Sequence, residues 1–105
     1  MSDIKLQYVA SSAVTISLAS LATDANLLAG RESTAIDNSS NEYLDYLLAG
    51  QITQGTTPTT AKEIRVYVVG MLNDSTWPDV FDGTDSAETV TSAGIRDSVC
   101  RLAAV

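Results

Sequence analysis

The sequence has no histidine and a single cysteine, Cys100. Without histidine, Ser-His-Asp and Cys-His catalysis and imidazole metal sites are excluded. One cysteine supplies neither an intramolecular disulfide nor a zinc site of the Cys/His type, and its apolar neighbours predict a buried thiol. The scattered glycines form no phosphate-binding GxxxxGK or GxGxxG loop. We therefore predict that the chain is not an enzyme and has no cofactor and no metal.

Basic residues are also scarce, with 6 Lys and Arg against 13 Asp and Glu and a formal net charge of -7. Binding to nucleic acid or to an anionic membrane needs clustered positive charge, so neither partner is expected. The apolar runs are far shorter than the roughly 18 residues of a transmembrane helix, and the first residues have no pattern of a signal peptide. The acidity is typical of a soluble protein.

Aromatic residues make up 6% of the 105 residues, so a single domain over residues 1–105 would have a core of Val, Ile, Leu and Ala. Alternation of apolar and polar residues predicts strands at residues 5–10, 14–19 and 64–72. Residues 26–35 are predicted as a strand too, with a short helical turn as the alternative. Residues 42–53 are apolar on both parities, which predicts a strand buried on both sides or lying at an interface. A helix is the alternative for this segment, but Gly50 followed by Gln51, Ile52 and Thr53 favours extended chain.

Several strands separated by loops rich in Thr, Ser, Gly and Asn predict a mainly β fold, an antiparallel β-sandwich of the jelly-roll type. No long helix is expected. A last strand at residues 98–105 ends within an apolar run, so we expect either a shortened polypeptide or a sheet completed by a neighbouring chain. The predicted core residues lie on the strongest strand and are Ile64, Val66, Val68 and Leu72.

An acidic segment follows this strand, with carboxylates at Asp74, Asp79, Asp82, Asp85 and Glu88. Clustered carboxylates can ligate Ca²⁺, but their spacing differs from that of an EF-hand loop. A solvated loop whose Asp residues cap turns is the favoured interpretation. A carboxylate pair for glycoside hydrolysis is the weakest one, because nothing in the sequence marks a substrate cleft.

Contacts between subunits are expected from large apolar and aromatic residues of the loops and the last strand. For Trp77 and Phe81 the favoured alternative is a loop folded onto the core. The candidates for inter-subunit contact are Tyr43, Tyr46, Trp77, Phe81, Leu102 and Val105.

Two stretches resemble a family of small virion structural proteins of tailed bacteriophages and prophages. They comprise ISLASLAT at residues 16–23, AGRES at 29–33, DN at 37–38, YLD at 43–45, GTTPT at 55–59 and WPDVFDGTDSAE at 77–88. The resemblance implies a β-rich particle component present in many copies, made in the bacterial host cytoplasm and located on the virion. Its partners would be other virion proteins and copies of itself. Proteins of this family tend to be longer, with further strands at the carboxyl end.

The sequence thus leaves two main functional hypotheses. The first is a non-enzymatic structural protein, which would be either a capsid decoration (cement) protein or a tail-surface protein. The alternative is a carbohydrate- or receptor-binding β-sandwich module that uses residues 77–88, with Ca²⁺ as an optional ligand.

Overall fold

The computed structural model describes residues 9–105, so most of the predicted strand at residues 5–10 lies outside the described residues. The described chain forms four short strands and one short helix. In chain order these are β1 (Ala29–Glu32), β2 (Val66–Val69), β3 (Ser86–Thr89), α1 (Ala93–Val99) and β4 (Cys100–Ala104). Within this part of the chain, no helix is long and apolar enough to cross a membrane.

The four strands form two separate antiparallel sheets of two strands each, β1 with β3 and β2 with β4. In the first sheet Glu32 lies opposite Ser86. In the second sheet Val69 lies opposite Cys100, and an irregularity between Val66 and Tyr67 shifts the register. This arrangement agrees with a mainly β chain that contains little helix.

Helix α1 begins at a capping serine. Ser92 has an extended backbone, and its hydroxyl oxygen accepts a hydrogen bond from the N–H of Ile95 at 3.2 Å. This bond satisfies one of the N–H groups that the first turn of any helix leaves without a partner. At the other end, the N–H of Cys100 donates to the carbonyl of Arg96, and the chain passes directly into β4.

Arg96 fixes α1 to the chain segment that precedes β1. Its guanidinium donates to the carbonyl oxygens of Asn26 at 2.6 Å and Leu27 at 3.3 Å, and to the carboxylate of Asp97. The same group lies 6.0 Å from the ring centroid of Tyr67 on β2. The bonds with Asp97 raise the pKa of Arg96. The charged guanidinium thus connects the helix both to the segment before β1 and to β2.

The predicted core residues do not form a core. Ile64, Val68 and Leu72 are exposed and Val66 is half-buried, so that prediction was wrong for this chain by itself. The reason is that β2 has one partner strand, and no second layer within residues 9–105 covers both of its faces. Among the described residues the buried apolar side chains are Pro78, Val90 and Cys100, and the predicted burial of Cys100 is confirmed.

The predicted strands are shorter in the structure or are missing. Residues 26–35, 64–72 and 98–105 contain β1, β2 and β4, so each of these predictions is confirmed in part. Residues 14–19 and 42–53 form no strand, because neither segment finds a partner strand among the described residues. Strand β3 and helix α1 were not predicted.

Candidate functional site

Three carboxylates meet where β1 and β3 lie side by side. One oxygen atom from each of Glu32, Asp82 and Glu88 lies within 4.8 Å of the other two. Glu32 is at the end of β1 and is only 8% exposed. It stays buried because its carboxylate accepts hydrogen bonds from the backbone N–H groups of Asp82 at 3.2 Å and Gly83 at 2.7 Å.

The other two carboxylates have local partners as well. Asp82 accepts hydrogen bonds from the hydroxyl of Thr84 at 2.6 Å and from its N–H at 2.9 Å, and these bonds lower the pKa of Asp82. Glu88 accepts a hydrogen bond from the hydroxyl of Ser86 at 2.8 Å. Three carboxylates supply hard oxygen ligands, whereas Ca²⁺ takes six to eight. A cation here would therefore need further oxygen atoms from water or from a bound molecule.

The sequence identified Asp82 and Glu88 of this cluster but missed Glu32. Glu32 is fifty residues away from Asp82 along the chain, and only the pairing of β1 with β3 brings it there. The remaining predicted acidic residues lie elsewhere. Asp79 accepts hydrogen bonds from Thr91, and Asp74 is exposed.

Asp85 joins the first sheet to an earlier part of the chain. It accepts hydrogen bonds from the hydroxyl and N–H of Ser17, at 2.5 and 2.9 Å, and from Arg31 at 3.1 Å. The bonds from Ser17, followed by those from Arg31, lower the pKa of Asp85. The prediction that Asp residues of this segment cap turns is confirmed by Asp82, whose side chain bonds the N–H of the residue two positions later.

A second feature is an exposed apolar segment, residues 43–52. Leu44 is 102% exposed and Leu47 is 96% exposed. The other large exposed side chains of the segment are Tyr43, Tyr46, Leu48 and Ile52. A contiguous apolar surface of this kind is rare on monomeric proteins and usually marks a site of interaction.

The start of the apolar segment is held in a defined turn. The side chain of Asn38 accepts a hydrogen bond from the N–H of Tyr43 at 2.8 Å and donates one to its carbonyl oxygen at 2.9 Å. The rings of Tyr43 and Tyr46 are in an edge-to-face arrangement, with centroids 6.4 Å apart. The segment therefore begins at a turn that hydrogen bonds hold in place, and its two tyrosine rings lie next to each other.

The predicted inter-subunit residues fall into two groups. Tyr43, Tyr46, Leu102 and Val105 are exposed. Trp77 and Phe81 are half-buried. The indole of Trp77 lies close against Gly83, where an added Cβ would be 3.1 Å from Cζ2 of the ring. The loop with Trp77 thus packs on the chain to which it belongs.

The chain as a whole exposes much more surface than a compact monomer. Its accessible surface is 8874 Å², whereas a compact protein of this mass exposes about 5,700 Å². Its radius of gyration is 16.2 Å, against about 13 Å for a compact domain of this length. The chain therefore exposes roughly 3,000 Å² more surface than a compact domain of its mass.

Three comparisons with known proteins add nothing to this geometry. No family model matches the chain, no curated protein matches it, and no solved structure matches it.

Proposed function

We propose that this chain is a non-enzymatic structural component of a phage particle, either a capsid decoration (cement) protein or a tail-surface protein. It acts through assembly with copies of itself and with other virion proteins. The observation that carries this proposal is the exposed apolar segment on a chain with very little core.

The energetic argument starts from the buried residues. Of the described apolar side chains, three are buried, Pro78, Val90 and Cys100, and none of the described side chains is fully enclosed. Full burial of one Leu or Ile side chain contributes about 1.5–3 kcal/mol, and this contribution is absent for Leu44 and Leu47 in the single chain. The conformational entropy of ordering the chain must still be offset. Contacts with neighbouring chains supply the missing burial.

The same reasoning extends to the fold. Isolated two-stranded sheets are marginally stable in water, whereas larger sheets with a covered face are stable. The two antiparallel sheets of this chain are therefore interpreted as parts of an antiparallel β-sandwich that strands of neighbouring chains complete. Completion would also bury β2, whose Val68 is exposed in the single chain.

The assignment to a phage particle within this proposal rests on the resemblance of residues 16–45 and 55–88 to small virion structural proteins. The chemistry of the chain is compatible with it. Histidine is absent and the net charge is -7, so neither histidine-dependent catalysis nor binding to packaged nucleic acid is expected of this component.

The test is the protein content of purified particles. A strain that carries the gene is induced, particles are purified on a density gradient, and their proteins are quantified by mass spectrometry beside those of the particle-free lysate. We expect this chain in the particle fraction, in many copies per particle. Recovery only from the particle-free lysate would reject the proposal.

A second candidate function is a carbohydrate- or receptor-binding module that uses Ca²⁺. The observation that favours it is the meeting of Glu32, Asp82 and Glu88 within 4.8 Å. Isothermal titration with CaCl₂ tests it, with Glu88→Gln as the matched variant. Saturable heat that the variant loses would support this candidate, and flat titrations together with an empty glycan array would remove it.

A further inference from the structure

We propose that residues 43–51 form a strand in the assembled protein by antiparallel pairing with the same residues of a second copy. This inference rests on the proposed function, since it names the first partner and the surface through which assembly begins.

Most of the backbone of this segment is available for pairing, since the bonds that engage it among the described residues are those of Tyr43 to Asn38 and of the Tyr46 N–H to Asp45. Within the described part of the chain, no hydrogen bond engages the backbone N–H groups of residues 47–64. All of residues 41–64 are exposed. An exposed segment with unpaired N–H and C=O groups is a template on which another strand can form.

The charge pattern favours a second copy as the partner. No charged residue occurs between Asp45 and Lys62, although the chain carries a net charge of -7. Interface cores are depleted of charge, and facing like charges are costly, so a neutral surface is a favourable place for two acidic chains to meet. A strongly basic or acidic partner would find no complementary charge in this stretch.

The segment is also complementary to itself. In an antiparallel two-fold pair centred on Leu47, Tyr46 faces Leu48 of the other copy, and Asp45 faces Ala49. The single carboxylate of the segment thus meets a small apolar residue rather than another carboxylate. Cross-strand pairs of an aromatic and an aliphatic residue stabilise a sheet, and a two-fold interface requires such self-complementarity.

The test combines hydrogen exchange and light scattering on the full chain over a range of protein concentrations. We expect the amides of residues 44–51 to exchange at least about ten-fold more slowly in concentrated than in dilute protein. In L44D/L47D, self-association should weaken by at least about 30-fold, and this protection should disappear. Leu72→Asp is the matched control, because Leu72 is 67% exposed but lies outside the segment, and it should leave association within about three-fold.

Three results would overturn the inference. They are fast exchange of these amides at every concentration, protection that does not depend on concentration, and equal weakening by Leu72→Asp. If L44D/L47D fails to fold, the concentration dependence of protection in the wild-type chain decides. A chain found in purified particles but lacking this protection would reject the pairing and leave the proposed function standing.

Discussion

Replacement of Gly83 by alanine is expected to weaken the contact between the first sheet and the loop that contains Trp77. Gly83 has a φ of 79°, in the left-handed region. Its N–H donates to Glu32 at 2.7 Å, and its carbonyl accepts from the N–H of Ala35 at 2.9 Å. The residue is thus bonded on both sides and cannot change its backbone conformation freely.

Two costs add up at this position. A left-handed backbone costs alanine about 1 kcal/mol more than glycine. The new Cβ would lie 3.1 Å from Cβ of Ala35 and 3.1 Å from Cζ2 of Trp77, closer than the optimal 3.5–4.0 Å or so between carbon atoms. Such overpacking typically costs about 1–3 kcal/mol. The expected loss of unfolding free energy is therefore about 2–4 kcal/mol, a large fraction of the roughly 5–15 kcal/mol of an ordinary domain.

Urea unfolding followed by the fluorescence of Trp77, the single tryptophan, measures this loss. Protein concentration must be equal in all samples, because association shifts the apparent stability. Gly55→Ala is the control, since an added Cβ at Gly55 meets nothing within 4 Å and its φ is not positive. We expect the control to change stability by less than about 1 kcal/mol. Equal unfolding free energies for the two variants would refute the reasoning.

Three further predictions concern other parts of the chain. Ser92→Ala removes the cap of α1 and should lower the unfolding free energy by about 1 kcal/mol in the same urea experiment, whereas Ser92→Asn should retain most of it. The hydroxyl and N–H of Thr91 lower the pKa of Asp79 below its unfolded value, so this stabilisation is present above about pH 4 and is lost as the pH falls further. Thermal melts from pH 6 to pH 2 should show a shallower fall for Asp79→Asn than for wild type, and parallel curves would contradict the role of Asp79. Burial raises the pKa of the Cys100 thiol, so N-ethylmaleimide should alkylate the native protein at least about ten-fold more slowly than the urea-unfolded one at pH 8, and equal rates would contradict its burial.

Of the three strands that lie within predicted ranges, β2 is rich in β-branched residues, whereas β1 and β4 contain none. Strand β2 is the clearest case, because Val66, Val68 and Val69 carry a strong β preference that needs no knowledge of the partner strand. Strand β3 has no such preference, since its residues are Ser, Ala, Glu and Thr. It exists through pairing with β1, which local sequence does not reveal.

Helix α1 escaped prediction for a related reason. Its seven residues, with Gly94 near the start, are too few to display a helical period. The helix depends on its cap and on Arg96, whose bonds to Asn26 and Leu27 span about seventy residues of chain. Glu32 joins the acidic cluster through a long-range contact of the same kind.

Residues 42–53 were predicted as a strand but find no partner strand among the described residues. Apolar residues at both parities indicate a segment that is stable when buried, and the interface alternative of that prediction suits the exposed segment of the single chain. The pattern specifies burial but not the chain that provides it. In the proposed pair, a second copy of this chain provides the burial.

Light scattering on a sizing column, with a far-ultraviolet circular dichroism spectrum of the same peak, tests the central claim of assembly most directly. We predict a β-type spectrum and a molar mass that is a multiple of the 11.1 kDa of one chain and rises with concentration until a defined oligomer is reached. A cooperatively folded β-protein that remains at 11.1 kDa at every concentration would contradict the claim.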